Sequence, residues 1–179
     1  MASSQIRIRD AADADRGALK ELLLQAYGQY EADLQEHWEA YKESILASVD
    51  AAGPKARLVA ELSGRIVGSA QLFLSSEEAY GRPELGIHAP ILRLLAVSPD
   101  HRGKGIATEL IRESVRRAIG WGADALYLHT SDMMASAVRL YERLGFERAY
   151  DKEFHNGRTP VKSYRLPLRE TAPIGRDPV

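Results

Sequence analysis

The chain has 179 residues, 45% hydrophobic and 27% charged, with 24 Lys and Arg against 25 Asp and Glu. At about 150 residues per domain this length predicts one globular domain, and a net charge of -1 gives no general attraction to nucleic acid or to an anionic membrane. Cysteine is absent, which excludes disulfides, zinc-thiolate centres, iron–sulfur clusters and a thiol nucleophile.

The opening Met1-Ala2-Ser3-Ser4-Gln5 lacks the basic run and apolar core of a signal peptide. No apolar run approaches the ~20 residues that span a bilayer. The expectation is a cytoplasmic protein with no membrane partner.

Ile6 and Ile8 alternate with Arg7 and Arg9, a short strand. Asp13 or Asp15 can then cap a helix whose apolar positions Leu19, Leu22, Leu23, Ala26, Tyr27 and Tyr30 follow helical spacing. A second helix starts near His37, with Trp38, Tyr41, Ile45, Leu46 and Val49 on one side, and Gly53-Pro54 ends it. Residues 58–62 and 65–72, parted by Ser63-Gly64, read as a hairpin. Residues 75–86, with Gly81, Pro83 and Gly86, read as a loop.

Residues 91–97 (Ile-Leu-Arg-Leu-Leu-Ala-Val) form the most apolar run and predict a central buried strand stopped by Ser98-Pro99. A loop with Gly103 and Gly105 opens a helix carrying Ile106, Leu110, Ile111, Val115, Ala118 and Ile119. Another strand covers residues 125–128. Met134, Ala137, Val138 and Tyr141 then mark a helix stopped by Gly145. Residues 146–150 and 161–168 read as two last strands, joined through Asn156-Gly157. The order is β-α-α-β-β-β-α-β-α-β-β, a mixed α/β sheet of about seven strands with four helices. It fills a domain over residues 1–169, followed by an aperiodic, mobile tail at 170–179.

The chemistry concentrates where the central strand meets a helix. Backbone amides in a helix's first turn have no intrahelical partners, and the dipole is positive there. Gly103 and Gly105 remove side chains from their approach, Arg102 and Lys104 add charge, and Thr108 adds a hydroxyl. Such a loop cradles phosphate. The P-loop pattern fails because Gly105 follows Lys104, and the dinucleotide fingerprint lacks a glycine at Thr108.

What remains is Arg102-x-x-Gly105-x-Ala107, which resembles the pyrophosphate loop of the GCN5-related N-acetyltransferase (GNAT) superfamily. The element order agrees, and Tyr141-x-x-x-Gly145-Phe146 is similar to a second signature of that family. The resemblance spans residues 6–168. It implies an acyl-CoA ligand, most often acetyl-CoA, with its pyrophosphate on Arg102, Gly103, Lys104, Gly105, Ile106, Ala107 and Thr108. It also implies a bulge in the preceding strand, where the backbone of Leu95, Ala96 and Val97 takes the pantetheine arm and polarises the thioester. Tyr141 would be the general acid for the departing thiolate, although its spacing equally suits a core aromatic. Many relatives carry Asn where this chain has Met134. That leaves the arm to the backbone or to Ser131, Asp132 or Ser136.

The general base stays open among Glu84, His88, His129 (with Asp132 beside it) and water. Tyr27, Tyr30, Glu31 and Trp38, with Phe154 and His155 opposite, are candidates for the acceptor pocket. No metal is expected, because no histidine pair has ligand spacing. Arg112, Arg116 and Arg117 read as a solvated helix face. The implied function is acetyl-CoA-dependent transfer to the primary amine of a small molecule by direct attack in a ternary complex, without nucleic acid and with pairing into a homodimer. The alternative is a non-catalytic acyl-CoA-binding or sensing module.

Overall fold

The computed structural model describes residues 5–131 and 134–168. Asp132 and the expected tail at 170–179 lie outside the described residues. Eight strands are hydrogen-bonded in the order β1-β2-β3-β4-β5-β8-β6, with β7 also paired to β8. Contacts group the chain into two compact units, residues up to 71 with 94–110, and residues 72–93 with those from 111 onward.

The first unit contains β1 (Arg7–Asp10), α1 (Arg16–Tyr27), α2 (Glu31–Leu34), α3 (Trp38–Asp50), β2 (Ala56–Leu62) and most of β3 (Arg65–Phe73). It also holds the second half of β4 (Ile91–Val97) and the first turn of α5 (Ile106–Gly120). β1 runs antiparallel to β2, with Arg7 opposite Glu61 and Asp10 opposite Leu58. Leu19, Leu22, Leu23, Ala26 and Tyr27 of α1 are buried, the stripe that helical spacing marks. At the β2–β3 turn Ser63 has φ 52° and Gly64 φ 77°. Two consecutive left-handed residues make the type I′ turn that matches strand twist.

The second unit contains α4 (Ser76–Tyr80), the rest of α5, β5 (Ala125–Thr130), α6 (Ala135–Arg143), β6 (Glu147–Arg148), β7 (Phe154–Asn156) and β8 (Thr159–Pro167). β4 is parallel to β5, pairing Ile91 with Tyr127 and Leu92 with Leu128. β8 lies antiparallel to β5 along its length, from Ala125↔Pro167 to Thr130↔Lys162. α1, α3, α5 and α6 are the four helices that periodicity predicts.

Two short helices are additional. α2 is a single turn ahead of α3. α4 falls inside the expected loop because the Ser75 hydroxyl accepts from the Glu78 amide at 3.2 Å and Gly81 closes the turn at φ 66°. Five residues are too few to display a period. The last loop is tighter than expected, since β7 and β8 pair directly across the turn containing Gly157.

The first turn of α5 sits tightly on β3. A Cβ at Gly68 would lie 2.7 Å from Ile106 Cγ2, 3.1 Å from Leu110 Cδ1 and 3.2 Å from the Ala96 carbonyl oxygen. Ile106 and Leu110 are fully buried, so neither can yield cheaply. Gly68→Ala should therefore lower stability by about 1–3 kcal/mol. Gly17→Ala in α1, where a Cβ meets nothing within 4 Å, should not lower it. Thermal unfolding of the two variants checks this, and an unchanged midpoint for Gly68→Ala would refute the tight seating.

Candidate active site

The loop between β4 and α5 is set by backbone bonds at its entry and by two glycines at its end. The Ser98 amide donates to the Val67 carbonyl at 2.8 Å, and the His101 amide to the Ser98 carbonyl at 2.9 Å. Pro99–His101 forms a 3-10 turn, and Arg102 is extended. Gly103 and Gly105 take φ of 79° and 80°, angles that cost a side-chain-bearing residue about 1–2 kcal/mol. A Cβ at either would meet nothing within 4 Å. Glycine is thus required there by the backbone angle, and the space beside it is open. The first helical bond runs from the Glu109 amide to the Gly105 carbonyl at 3.0 Å. The amides of Ile106, Ala107 and Thr108 precede it and have no place in the helical ladder. Arg102 and Lys104 are exposed at this end, and Arg102 Nη1 donates to Gln29 Oε1 at 3.3 Å. Arg102, Gly103, Lys104, Gly105, Ile106, Ala107 and Thr108 are thereby brought into one amide-lined turn.

Upstream, Leu94 takes φ 52°, a left-handed angle inside a strand. Such an angle departs from the extended backbone of a regular strand. The next carbonyl, Leu95, accepts from the Tyr27 hydroxyl at 3.2 Å. Ala96 is buried, while Leu95 and Val97 are half-buried. Tyr27 itself is buried against Tyr30 and Tyr41, and Trp38 packs on Tyr41. These rings form an aromatic cluster, from which the Tyr27 hydroxyl turns to the β4 backbone.

In the second unit Tyr141 is buried on α6, its ring 5.9 Å from Phe146 and 6.4 Å from Tyr164. The Tyr141-x-x-x-Gly145-Phe146 pattern has a physical basis. The Phe146 amide donates to the Tyr141 carbonyl at 3.0 Å and the Gly145 amide to the Glu142 carbonyl at 3.1 Å, with Gly145 at φ 98°. This is a Schellman helix stop, including its apolar contact between the two rings.

His129 lies near the end of β5. Its Nδ1 shares a 2.9 Å hydrogen bond with the Tyr80 hydroxyl, and its ring touches Tyr80 and Phe154. Burial, then the positive charge of Arg93, push its pKa down to about 4, against smaller opposing effects of the Lys152 backbone and Glu153. Burial likewise raises the Tyr80 hydroxyl above its ordinary value. Glu84, His88 and His155 are exposed, and Phe154 is half-buried beside Tyr80. Met134 ends the turn before α6, its amide donating to the Ser131 carbonyl at 3.0 Å, while the buried Ser131 hydroxyl finds no partner among the described residues. Arg116 and Arg117 are taken up by Glu113, with the Arg117 Nε bond at 2.8 Å. No helix of the described residues is long and apolar enough to cross a membrane.

Comparison with known proteins decides the family. Residues 17–146 match the model of the acetyltransferase (GNAT) family. The chain belongs to that family. Among curated relatives, N-acetyltransferase family 8 member 2 of Rattus norvegicus is 36% identical over 90 residues, 50% of this chain and 38% of the rat protein. N-acetyltransferase 8B of Homo sapiens is 39% identical over 61 residues, 34% of this chain and 27% of that protein. The chain thus spans well under half the length of the curated relatives it matches.

Solved structures share the fold at lower identity. The ribosomal-protein-S18-alanine N-acetyltransferase of Escherichia coli superposes with TM-score 0.66 at 19% identity, covering 94% of this chain and 97% of that one. A GNAT family acetyltransferase from Brucella melitensis in complex with acetyl-CoA gives 0.62 at 21%, covering 95% and 92%. PaiA N-acetyltransferase from Thermoplasma acidophilum in complex with coenzyme A gives 0.68 at 17%, covering 90% and 99%.

Within this GNAT chain, sequence reading missed Tyr80, Arg93 and the Tyr27 hydroxyl. An arginine inside the most apolar strand was the signal for the second. The Tyr80 and His129 partners are 49 positions apart, and no local pattern connects them.

The lowered His129 pKa fixes a pH dependence. The folded protein keeps His129 neutral down to about pH 4, whereas the unfolded chain protonates it near its ordinary 6.5. Its stabilising contribution is full above pH 6.5 and falls as pH drops toward 4, by roughly 3 kcal/mol in total at about 1.4 kcal/mol per unit. Denaturant titrations of wild type and His129→Gln should diverge least at pH 4 and most above 6.5. Parallel curves would refute the assignment.

Proposed function

We propose that this GNAT chain is an N-acetyltransferase that uses acetyl-CoA and transfers the acetyl group directly to a primary amine of a small molecule. The observation that carries the reading is the turn of residues 102–108. It has two glycines at left-handed angles, open space beside both, and the free first-turn amides of α5. That donor set fits a pyrophosphate, which accepts hydrogen bonds and carries negative charge toward the positive end of the helix dipole. Arg102 and Lys104 add two cations there. Bound acetyl-CoA supplies an activated acetyl thioester.

The chain's residues perform the rest. The backbone of Leu95, Ala96 and Val97, just past the left-handed Leu94, would hold the pantetheine arm and polarise the thioester carbonyl. The Tyr141 hydroxyl donates its proton to the sulfur as the carbon–sulfur bond breaks. The amine nitrogen forms the new bond with its lone pair and gives up one proton. Water takes that proton. His129 is too weak a base at pKa about 4, and its Nδ1 is held by Tyr80. With no cysteine in the chain, the acetyl group cannot rest on a thiol, so transfer proceeds in a ternary complex.

Acetyl-CoA at 100 times its Kd should raise stability by about 2.7 kcal/mol, read as a higher Tm. Gly105→Glu, which puts a negative side chain into the open turn, should abolish the shift; a retained shift would displace the site. Tyr141→Phe should keep the shift and lower kcat by about 100-fold or more. Unchanged kcat with a good amine would remove Tyr141 from proton transfer. A Tm shift without thiol release from any amine would favour a binding module.

A further inference from the structure

Arg93 interrupts the apolar run of β4 between Leu92 and Leu94. A guanidinium at such a half-buried position ordinarily has a carboxylate beside it. Here it is held by other means. Nη1 donates to the Ala79 carbonyl at 2.7 Å, and the guanidinium lies 4.8 Å from the Tyr80 ring and 5.6 Å from the Phe73 ring. Among the described residues, Nε and Nη2 find no hydrogen-bond partner and no carboxylate pairs with Arg93. Its neighbours are also short of negative charge. Glu153 is taken by Arg148 and by the Ser163 amide. Arg82, over the Phe154 ring at 4.9 Å, donates to the His155 carbonyl and likewise has no carboxylate partner among the described residues. Two cations therefore stand on an aromatic bed made by Tyr80 and Phe154, whose rings are 5.4 Å apart.

We propose that Arg93 binds a carboxylate of the acceptor, so that the substrate is an amine that also carries a carboxylate, with an apolar group resting on Tyr80 and Phe154. Nε and Nη2 form one edge of the guanidinium, spaced to meet both oxygens of a carboxylate. Arg93 belongs to the same strand, β4, as Leu95, whose backbone is assigned to the thioester. This inference rests on the acetyltransferase reading above.

The test compares amines that differ only in the carboxylate, phenylalanine with phenethylamine and tyrosine with tyramine, by release of coenzyme A thiol. Wild type should favour the carboxylated member by tenfold or more in kcat/KM. Arg93→Gln should bring that ratio to about one through KM, and Arg93→Lys should retain part of it. A direct binding arm uses 3-phenylpropionate in calorimetry, with wild type expected to bind it and Arg93→Gln expected not to. The acetyl-CoA Tm shift reports that each variant is folded. Equal kcat/KM for the paired amines, or a preference that survives in Arg93→Gln, overturns the proposal. Absence of thiol release from every amine removes the acetyltransferase reading instead. Loss of 3-phenylpropionate binding in Arg93→Gln would then still support the carboxylate site.

Discussion

The φ of +52° at Leu94 is the constraint to which the rest of β4 is fitted. A leucine in that region costs on the order of 1–2 kcal/mol relative to extended backbone, and it persists only where the surroundings over-determine it. Here Ala96 is buried two residues on, the Leu95 carbonyl is held by the Tyr27 hydroxyl, and the Ser98 amide is anchored on Val67. Because side chains alternate along a strand, an irregular residue resets which ones face the core. Before it stands an arginine whose Nε and Nη2 have no hydrogen-bond partner among the described residues. After it, β4 continues to Val97, past Ile91 and Leu92, whose partners are on β5. One strained residue therefore serves two chemically different neighbours on the same strand.

The amide-lined turn of residues 102–108 depends on packing at a different place. A helix presents its first amides usefully only if its start cannot drift, and the start of α5 is fixed by Ile106 and Leu110 lying against β3 where Gly68 leaves no side chain. The same turn has buried isoleucine on its inner side and exposed glycine, lysine and arginine on its outer side. Rigidity comes from the apolar half and chemistry from the polar half. Glycine does two separate jobs here. At Gly68 it is required by close contact, and at Gly103 and Gly105 by backbone angle with open space beyond.

What could be read from the residues follows from how local each cause is. The α1 stripe, the Ser63-Gly64 turn, the glycine loop and the Tyr141–Phe146 helix stop are each written within a dozen positions, so spacing exposes them. The left-handed angle in β4 is not, because Leu94 bears no mark of a left-handed residue and only its tertiary setting imposes the angle. α4 is one capped turn, shorter than any period. The Tyr80–His129 bond joins a loop helix to a strand end, and nothing near either residue announces the other. Arg93 lies between these cases. Its place in an apolar strand was visible, but its lack of a carboxylate is a property of the folded surroundings.

Tyr80 and Tyr141 are similar side chains in different surroundings. Both are tyrosines at or near a helix end. The Tyr80 hydroxyl is committed to an imidazole that burial and a nearby arginine keep neutral. That pair binds α4 to the end of β5 through a bond between two uncharged groups, which needs no counter-ion in a low-dielectric setting. A charged histidine in its place would sit beside Arg93 and compete with it for any incoming anion. Keeping His129 neutral leaves Arg93 as the stronger positive field on that aromatic bed. The depressed pKa of His129 and the lack of a carboxylate partner for Arg93 among the described residues belong to one arrangement, in which the positive charge on the aromatic bed is carried by guanidinium groups and not by the imidazole.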